Sequence, residues 1–266
     1  MDMIKIKKKE MCKHIFTPIA HRGGCEVAFE NTFQAFTDAY ELGYRWLETD
    51  LQISKDGVLY AIHDNNLKRL TGKNVQIHDL NSDDLDQILI NRKYNIPRLE
   101  QLLREFNDVT FNLDAKNINS AKALVSLLNR DKSFKNLCLG SFSHKTISYI
   151  RRSLKRDLPT TFSQMEVFWL LVNFKLNKKV VYKANYLQIP KSYFGYKIVS
   201  RQLLDFCKKN EIKVHIWTIN ESSDMRNLIR MGVDGIMTDN CRTLLEVIKS
   251  QKLIDKKIVL EPFSID

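Results

Sequence analysis

The chain has 266 residues, enough for one large α/β barrel domain or two small domains with a sizeable core. Hydrophobic residues at 44% and charged residues at 27% are ordinary for a soluble globular protein, and no run approaches the roughly 20 apolar residues of a membrane span. The formal net charge of +11 predicts attraction to phosphate-bearing partners: nucleic acid, an anionic membrane face or a small anionic substrate. A solvated basic surface is the simpler interpretation of much of this charge.

Cysteine usage indicates an intracellular protein. The five cysteines are odd in number and widely spaced, without a CxxC pair, which excludes a disulfide framework or a zinc site of the usual spacing: Cys12, Cys25, Cys138, Cys207 and Cys241. Residues 1–13 are basic, but no apolar segment of signal-peptide length follows them. We therefore expect a cytoplasmic location.

Strand-like runs alternate with helix-like runs along the chain, which is the pattern of βα units around a parallel sheet. Eight strands are predicted, at residues 16–21, 45–50, 109–114, 137–142, 158–162, 184–189, 213–218 and 234–238. Eight strands with helical crossovers in about 250 residues match an α/β protein of the (β/α)8 TIM-barrel type. We expect residues 1–14 to form a basic N-terminal extension, residues 15–250 the barrel domain and residues 251–266 a C-terminal tail.

The segment after the second strand departs from this alternation and makes the predicted barrel irregular. Residues 51–62 carry no helical pattern, and Asp56-Gly57 is a hairpin turn signal between β-prone residues. If the chain folds back there, the second arm of this β-hairpin excursion returns to the end of the second strand. The hairpin then brings His63 close to Asp50, although thirteen residues separate them in sequence.

Carboxylates mark the ends of the second and third strands. Glu48 and Asp50 share one side of the second strand, because side chains two residues apart point the same way, and barrel enzymes keep their sites at this end. Oxygen ligands at this spacing suit Mg²⁺ or Ca²⁺ rather than zinc. Asp114 and Lys116 repeat the arrangement on the third strand. Each pair taken separately also fits solvated or salt-bridged side chains, but their agreement favours a metal site with a lysine for a phosphate oxygen.

The first strand ends in His21-Arg22-Gly23-Gly24. Glycines there let backbone N–H groups approach an anion closely, and arginine can bind phosphate through two hydrogen bonds. Histidine is the usual proton carrier near neutral pH, although a lone histidine at a strand end is more often structural. Asn31 or Thr32 can cap the helix that follows.

In the seventh strand, Val214 and Ile216 alternate with His215 and Trp217. The apolar pair is expected to face the helices, which leaves the other two toward the barrel interior. Trp217, nearer the carboxyl end of the strand, is predicted to form an apolar wall for the carbon skeleton of a substrate. His215 lies deeper and is interpreted as a hydrogen-bonded interior residue.

In this order, these residues resemble the glycerophosphodiester phosphodiesterase family over about residues 16–248. The N-terminal motifs are the most specific ones: Ala20-His21-Arg22-Gly23-Gly24, Glu30-Asn31-Thr32, Glu48-Thr49-Asp50, Asp56-Gly57 and His63-Asp64. Later matches support them at Leu67, Arg69, Thr71, Ile96-Pro97, Leu99-Glu100, Ser141-Phe142-Ser143, Trp217-Thr218-Ile219-Asn220 and residues 232–239.

The resemblance implies an irregular (β/α)8 barrel that hydrolyses glycerophosphodiesters to glycerol 3-phosphate and an alcohol. It implies that a divalent cation, Mg²⁺ or Ca²⁺, is held by Glu48, Asp50 and Asp114. It also implies that His21 and His63 act as acid and base, and that Arg22 and Lys116 bind the phosphate. Which histidine is the acid is left open. The nucleophile is either water or an adjacent hydroxyl of the substrate, which would close a cyclic intermediate.

Two positions depart from the family pattern. Asp114 stands where the family usually carries a glutamate, and the loss of one methylene predicts either a water between Asp114 and the ion or weaker metal binding. Phe29 stands where a proline commonly precedes Glu-Asn-Thr, which changes the stiffness of the loop.

Two other functions compete with this prediction. The protein could cleave lysophospholipids at the head group, with its basic termini and residues 168–171 in peripheral contact with an anionic membrane, although a helix packed on the barrel explains that stretch more simply. A non-catalytic phosphodiester-binding module is less favoured, because both histidines and all the carboxylates are present. Nucleic-acid binding is not expected, since no aromatic–basic recognition motif accompanies the charge. The alcohol group and the oligomeric state are left open.

Overall fold

A computed structural model describes residues 14–26, 28–193, 195–254 and 258–260. In the first half of the chain the elements are β1 (His14–Ala20), α1 (Phe33–Glu41), β2 (Trp46–Ile53), β3 (Leu59–Ala61), α2 (Lys68–Thr71), α3 (Ser82–Asp86), β4 (Leu89–Ile90), β5 (Tyr94–Asn95), α4 (Leu99–Glu105), β6 (Thr110–Ala115) and α5 (Ile118–Arg130). Two 3₁₀ turns, His21–Gly23 and Ile77–Asp79, complete this half.

The second half continues the alternation of strands and helices. Its elements are β7 (Leu137–Gly140), α6 (His144–Ser153), α7 (Gln164–Lys175), β8 (Tyr186–Pro190), β9 (Ser192–Tyr193), β10 (Tyr196–Lys197), α8 (Arg201–Lys209), β11 (Lys213–Trp217), α9 (Ser222–Met231), β12 (Gly235–Thr238), α10 (Cys241–Ile254) and β13 (Ile258–Leu260).

Seven parallel strands form the curved central sheet in the order β7-β6-β2-β1-β12-β11-β8. The predicted fifth strand is reduced to two parallel bridges, Leu139 with Thr160 and Thr161 with Tyr186, and these connect the two ends of the sheet. Pro159, which lacks an N–H, directly precedes the bridging residues and limits the pairing that this strand can make. The (β/α)8 barrel prediction is confirmed, with seven of its strands fully formed.

The predicted hairpin is also confirmed. Strand β2 runs on to Ile53, and β3 pairs antiparallel with it, placing Leu51 opposite Ala61. Gly57 takes a φ of 91° in the connecting turn, a conformation that favours glycine. The excursion that follows, from β3 to β5, buries a small core of its own, which includes Tyr60, Ile62 and Leu67.

The main core lies between the sheet and its outer helices, because most apolar strand residues that point outward meet the apolar faces of α1, α5, α8 and α9. A smaller group fills the inside of the barrel, with Ile19, Trp46, Cys138 and Met237 buried together. Helix α10 runs past residue 250, and β13 pairs with β1 next to His14. Residues 1–13 of the predicted extension and parts of the predicted tail lie outside the described residues. Within the described ranges no helix is long and apolar enough to cross a membrane.

Candidate active site

The end of β1 presents a histidine and an arginine on a left-handed turn. Arg22, Gly23 and Gly24 have φ values of 53°, 83° and 78°. A Cβ atom on Gly23 would lie 2.9 Å from the backbone nitrogen of Phe36, so this position has no room for a larger residue. The turn lets the Arg22 N–H donate to Glu48 Oε2 at 3.0 Å. The left-handed turn therefore places the Arg22 backbone against the Glu48 carboxylate of the second strand.

Three predicted metal ligands lie together at the carboxyl ends of β2 and β6. Glu48 and Asp50 are buried, and Asp114 stands directly opposite Asp50 in the strand register. Lys116 Nζ lies 2.5 Å from Asp50 Oδ1 and 2.7 Å from Asp114 Oδ2, so the lysine is held by both carboxylates. The structure thus brings together all four predicted side chains of these two strands.

Burial and charge shift the pKa values of these groups in different directions. Burial would raise the pKa of Asp50, but the Lys116 and Arg22 cations lower it below its ordinary value. Burial raises the pKa of Asp114, which Lys116 offsets only in part. Burial and then the Asp50 charge raise the pKa of Glu48 to about 7. Because the buried carboxylates of Glu48 and Asp50 repel each other, a further positive charge would be favourable at this site.

The buried carboxylates of Glu48, Asp50 and Asp114 offer only oxygen ligands, which are the ligands that a hard divalent cation prefers. In the described ranges, however, no three acidic, histidine or cysteine side chains converge closely enough to hold an ion. The Lys116 ammonium group lies between Asp50 and Asp114 and forms an ion pair with each of them. A cation shared by Asp50 and Asp114 would therefore compete with Lys116 for the same two carboxylates.

Each predicted catalytic histidine is held by a carboxylate of its own. His21 Nδ1 lies 2.7 Å from Asp239 Oδ1, and His63 Nδ1 lies 2.7 Å from Asp64 Oδ1. A histidine bound in this way through Nδ1 keeps Nε2 for proton exchange. Burial would lower the pKa of His21, but the hydrogen bond to Asp239 and the charge of Glu48 raise it overall.

Asp64 and Asp239 lie in the sequence motifs, but the motifs assign no role to either residue. The adjacency of His63 and Asp64 was a usable signal. Asp239 was harder to find, because it follows β12 and reaches His21 only through the parallel pairing of β12 with β1. Its other oxygen accepts a hydrogen bond from Asn220 Nδ2 at 2.8 Å.

The Glu30-Asn31-Thr32 motif does more than begin a helix. Thr32 is the residue that caps α1, as its hydroxyl accepts from the Ala35 N–H. Asn31 is buried and accepts a hydrogen bond from the Thr49 hydroxyl at 2.7 Å. Glu30 binds two guanidinium groups, Arg22 at 2.9 Å and Arg69 at 2.6 Å. Glu30 therefore links the arginine of the first strand to the excursion that carries His63.

Phe29, at the position before this motif where the family that the chain resembles commonly has a proline, makes an aromatic contact. The Phe29 ring lies 6.2 Å from that of Tyr94 in β5. This contact replaces the stiffness of a proline with packing between the loop and the excursion.

These side chains surround a cavity of about 480 Å³ at the carboxyl end of the barrel. Its charged part holds the carboxylates, His21, His63, Arg22 and Lys116. Its other part is apolar, and there Trp217 packs edge-on against Phe142 with ring centres 5.7 Å apart. Trp217 therefore lies in the apolar lining of the cavity, and its contact with a substrate stays a prediction.

His215 lies below this cavity, fully buried between the rings of Trp46 and Tyr186. Its Nδ1 lies 3.4 Å from Gln188 Nε2, a long contact, whereas its buried Nε2 has no hydrogen-bond partner among the described residues. Burial and then the Lys213 charge lower the pKa of His215 to about 3. The ring is therefore a neutral interior residue.

A parallel barrel with a cluster of acids, two histidines and two cations at its carboxyl end defines the class of barrel hydrolases that act on phosphate esters. The model of the glycerophosphoryl diester phosphodiesterase family matches residues 21–243. The chain belongs to this family of enzymes, the phosphoric diester hydrolases that act on glycerophosphodiesters.

Individual curated proteins and solved structures are similar to this chain. A glycerophosphodiester phosphodiesterase from Caldanaerobacter subterraneus subsp. tengcongensis is 27% identical, covering 87% of this chain and 97% of the relative. A lysophospholipase D from Homo sapiens is also 27% identical, covering 88% of this chain and 85% of the relative. Among solved structures, a phosphodiesterase from Oleispira antarctica, in complex with the product sn-glycerol-3-phosphate, superposes with a TM-score of 0.73. Its identity is 23%, and the match covers 88% of this chain and 97% of that one.

Proposed function

We propose that the protein hydrolyses small glycerophosphodiesters to glycerol 3-phosphate and an alcohol, using His21 and His63 as acid and base. The observation that carries this proposal is the pair of histidines, each bound to a carboxylate through Nδ1, on one cavity that also holds Arg22 and Lys116. One histidine takes a proton from the nucleophile, and the other gives a proton to the departing alkoxide as its bond to phosphorus breaks. The nucleophile is either water, which yields glycerol 3-phosphate directly, or the adjacent hydroxyl of the substrate, which closes a cyclic phosphate that water then opens.

Arg22 and Lys116 are the groups that offset negative charge on the phosphoryl oxygens. Arg22 is held by Glu30 and lies 3.1 Å from Asp50 through Nε, so its position is set before substrate arrives. Lys116 is held by its ion pairs with Asp50 and Asp114 and would be free to bind a phosphate oxygen if those carboxylates held a cation.

Glu48, Asp50 and Asp114 are the residues that would hold Mg²⁺ or Ca²⁺. When bound, the cation supplies Lewis-acid stabilisation of a phosphate oxygen and fixes the orientation of the diester. Burial and then the Asp50 charge raise the pKa of Glu48 to about 7, which supports this assignment, since a cation would favour the charged carboxylates. Asp114 accepts a hydrogen bond from the Lys116 ammonium group at 2.7 Å, so its short side chain reaches a positive charge at this place, which supports its assignment as the third ligand.

The test is release of choline from glycerophosphocholine in the presence of Mg²⁺ or Ca²⁺. His21→Ala and His63→Ala are each expected to lose about 10²- to 10⁴-fold in kcat, the usual contribution of a general acid or base. His78→Ala is the matched control, because His78 is exposed and its Nδ1 contacts Asn65. Full activity of either active-site variant would overturn the proposal.

A second substrate class, lysophospholipids cleaved at the head group, is favoured by the apolar part of the cavity. Its lining includes Phe142, Phe162, Val167 and Leu171, which could accommodate part of an acyl chain. The relative from Homo sapiens carries the name lysophospholipase D. Comparing kcat/KM for lysophosphatidylcholine and glycerophosphocholine with one enzyme preparation decides between the two classes.

We retain a cytoplasmic location as part of the proposal. It rests on cysteine chemistry, since Cys25, Cys138, Cys207 and Cys241 are free thiols. Labelling of the native protein with a thiol reagent, before and after reduction, would detect any disulfide that contradicts it.

A further inference from the structure

Large apolar and aromatic side chains are exposed around the entrance of the active-site cavity. We call them the mouth patch and define it as Met165, Phe168 and Trp169 of α7 with Tyr193 and Tyr196 of the β9–β10 hairpin. Each of the five is more than half exposed, from 54% for Met165 to 79% for Tyr196. Five such side chains in two neighbouring elements exceed the scattered exposed residues of an ordinary surface.

The mouth patch belongs to the same end of the barrel as the active site. Phe168 and Tyr193 both line the cavity, so α7 and the hairpin border one entrance. Trp169 packs edge-on against Phe168 with ring centres 5.4 Å apart and extends the apolar surface away from the cavity. A surface that met this patch would therefore lie directly over the entrance.

Helix α7 is not an ordinary amphipathic helix on a barrel. Leu170 is buried against the core, as expected for such a helix, but Met165, Phe168 and Trp169 are exposed where polar residues would normally stand. Core packing of residues 168–171 thus accounts for Leu170 but not for the exposure of Phe168 and Trp169.

The chain around the mouth patch is strongly basic. From residue 167 to residue 204 there are seven lysines and arginines and no aspartate or glutamate: Lys175, Lys178, Lys179, Lys183, Lys191, Lys197 and Arg201. Six of them are exposed, and Lys191 pairs with Asp224. Aromatic side chains bordered by lysines are what a protein needs to bind an anionic lipid surface, where rings enter the interface and ammonium groups meet lipid phosphates.

We propose that the mouth patch docks the enzyme on anionic lipid bilayers, with the cavity entrance facing the membrane. Trp169 and Tyr196 enter the interfacial region, and the lysines of residues 175–197 contact the head groups. The proposal adds a binding surface to the enzyme and does not depend on which diester it hydrolyses.

The test is sedimentation of the full chain with vesicles of phosphatidylcholine, with and without phosphatidylglycerol. We expect binding to the anionic vesicles that weakens as salt rises. The double variant Trp169→Ser, Tyr196→Ser should bind at least about tenfold more weakly, because its rings no longer enter the interface. Lys178→Gln and Lys179→Gln should each lower binding by about fivefold. Leu89→Ser is the matched control, since Leu89 is an exposed apolar residue on the excursion.

Hydrolysis of water-soluble glycerophosphocholine separates this proposal from the catalytic one. Neither Trp169 nor Tyr196 lines the cavity, so their variants should keep the wild-type rate on this substrate. Failure of the wild-type protein to bind anionic vesicles would overturn the docking proposal, and so would equal binding by the double variant. A dimer in solution that Trp169→Ser dissociates would show that a second copy covers the patch, which also overturns it.

Discussion

The two histidines of the site differ in the partners of their carboxylates. Asp64 binds the Arg69 guanidinium at 2.5 Å, so its negative charge is balanced by a cation. Asp239 accepts hydrogen bonds from neutral groups instead, the Asn220 amide and, at 3.5 Å, the Cys25 thiol. In the part of the chain that the structure describes, the carboxylate at His63 Nδ1 is thus balanced by an arginine, whereas the carboxylate at His21 Nδ1 has no lysine or arginine ion pair.

Replacing that charge gives the first prediction. Asp239→Asn keeps the size of the side chain, but its amide can donate to Nδ1 of His21, which rotates the ring or favours the tautomer that carries its proton on Nε2. We expect kcat for glycerophosphocholine to fall about 10- to 100-fold with little change in KM. Asp224→Asn is the control, because Asp224 pairs with Lys191 away from the histidines. A parallel rise in KM would indicate damage to substrate binding instead.

His215 leads to a prediction about pH and stability. Its pKa is lowered to about 3 by burial, from an ordinary value of 6.5, so the unfolded chain binds a proton that the folded chain does not between these pH values. The stability that depends on neutral His215 is complete above pH 6.5 and is lost as pH falls toward 3, by about 1.4 kcal/mol per pH unit.

His215→Gln removes this titration. Thermal unfolding measured from pH 7 down to pH 4.5 should therefore show a shallower loss of Tm in the variant than in the wild type. A lower stability of the variant at pH 7 does not affect the test, because the test compares the slopes of Tm against pH. Equal slopes would mean that His215 is accessible to protons in the folded state.

At the scale of elements, the hairpin of β2 and β3 places His63 against the end of the second strand. Asp56 fixes the turn, since its carboxylate accepts from the Ser54 hydroxyl at 2.6 Å and from the Ser82 N–H at 2.9 Å. Gly57 supplies the positive φ, and no atom lies within 4 Å of a Cβ built on it. Any substitution there is therefore opposed by backbone conformation and not by packing.

Gly57→Ala is expected to lower the free energy of unfolding by about 1–2 kcal/mol, the cost of a left-handed conformation with a Cβ. Gly57→Asn should cost less, because asparagine tolerates this region. Urea unfolding of the three proteins measures the order. Since the turn lies apart from the cavity, KM for glycerophosphocholine should stay constant; a loss in the asparagine variant as large as in alanine would point to a steric cause.

Local sequence patterns were sufficient to predict most of these elements. Alternating βα runs predict the barrel, because they depend on a periodicity within a few residues. Asp56-Gly57 predicts the hairpin, because turn chemistry is equally local. The fifth strand was predicted at full length but forms only the bridges at Thr160 and Thr161. The partnership of Asp239 with His21 spans 218 residues, and no local pattern carries information about such a contact.

For the whole molecule, closure of the barrel concentrates buried acids at one end. Glu48, with its pKa raised to about 7 by burial and by Asp50, binds more protons in the folded than in the unfolded chain between pH 4.5 and 7. The stability that this proton provides is complete below pH 4.5 and is lost as pH rises through 7. Above pH 7 the ion-free protein therefore holds a carboxylate that opposes folding.

A bound divalent cation should reverse that cost. At pH 8, Mg²⁺ or Ca²⁺ at about 100 times its dissociation constant is expected to add about 2.7 kcal/mol to the stability. For a chain of this size that corresponds to a rise in Tm of roughly 5–10 °C. Glu48→Gln should lose most of the rise, while its Tm without added ion exceeds that of the wild type at this pH. Glu100→Gln is the control, because Glu100 is a surface acid paired with Arg104. Calorimetry with and without a chelator measures both effects, and an undiminished rise in Glu48→Gln would place the ion elsewhere.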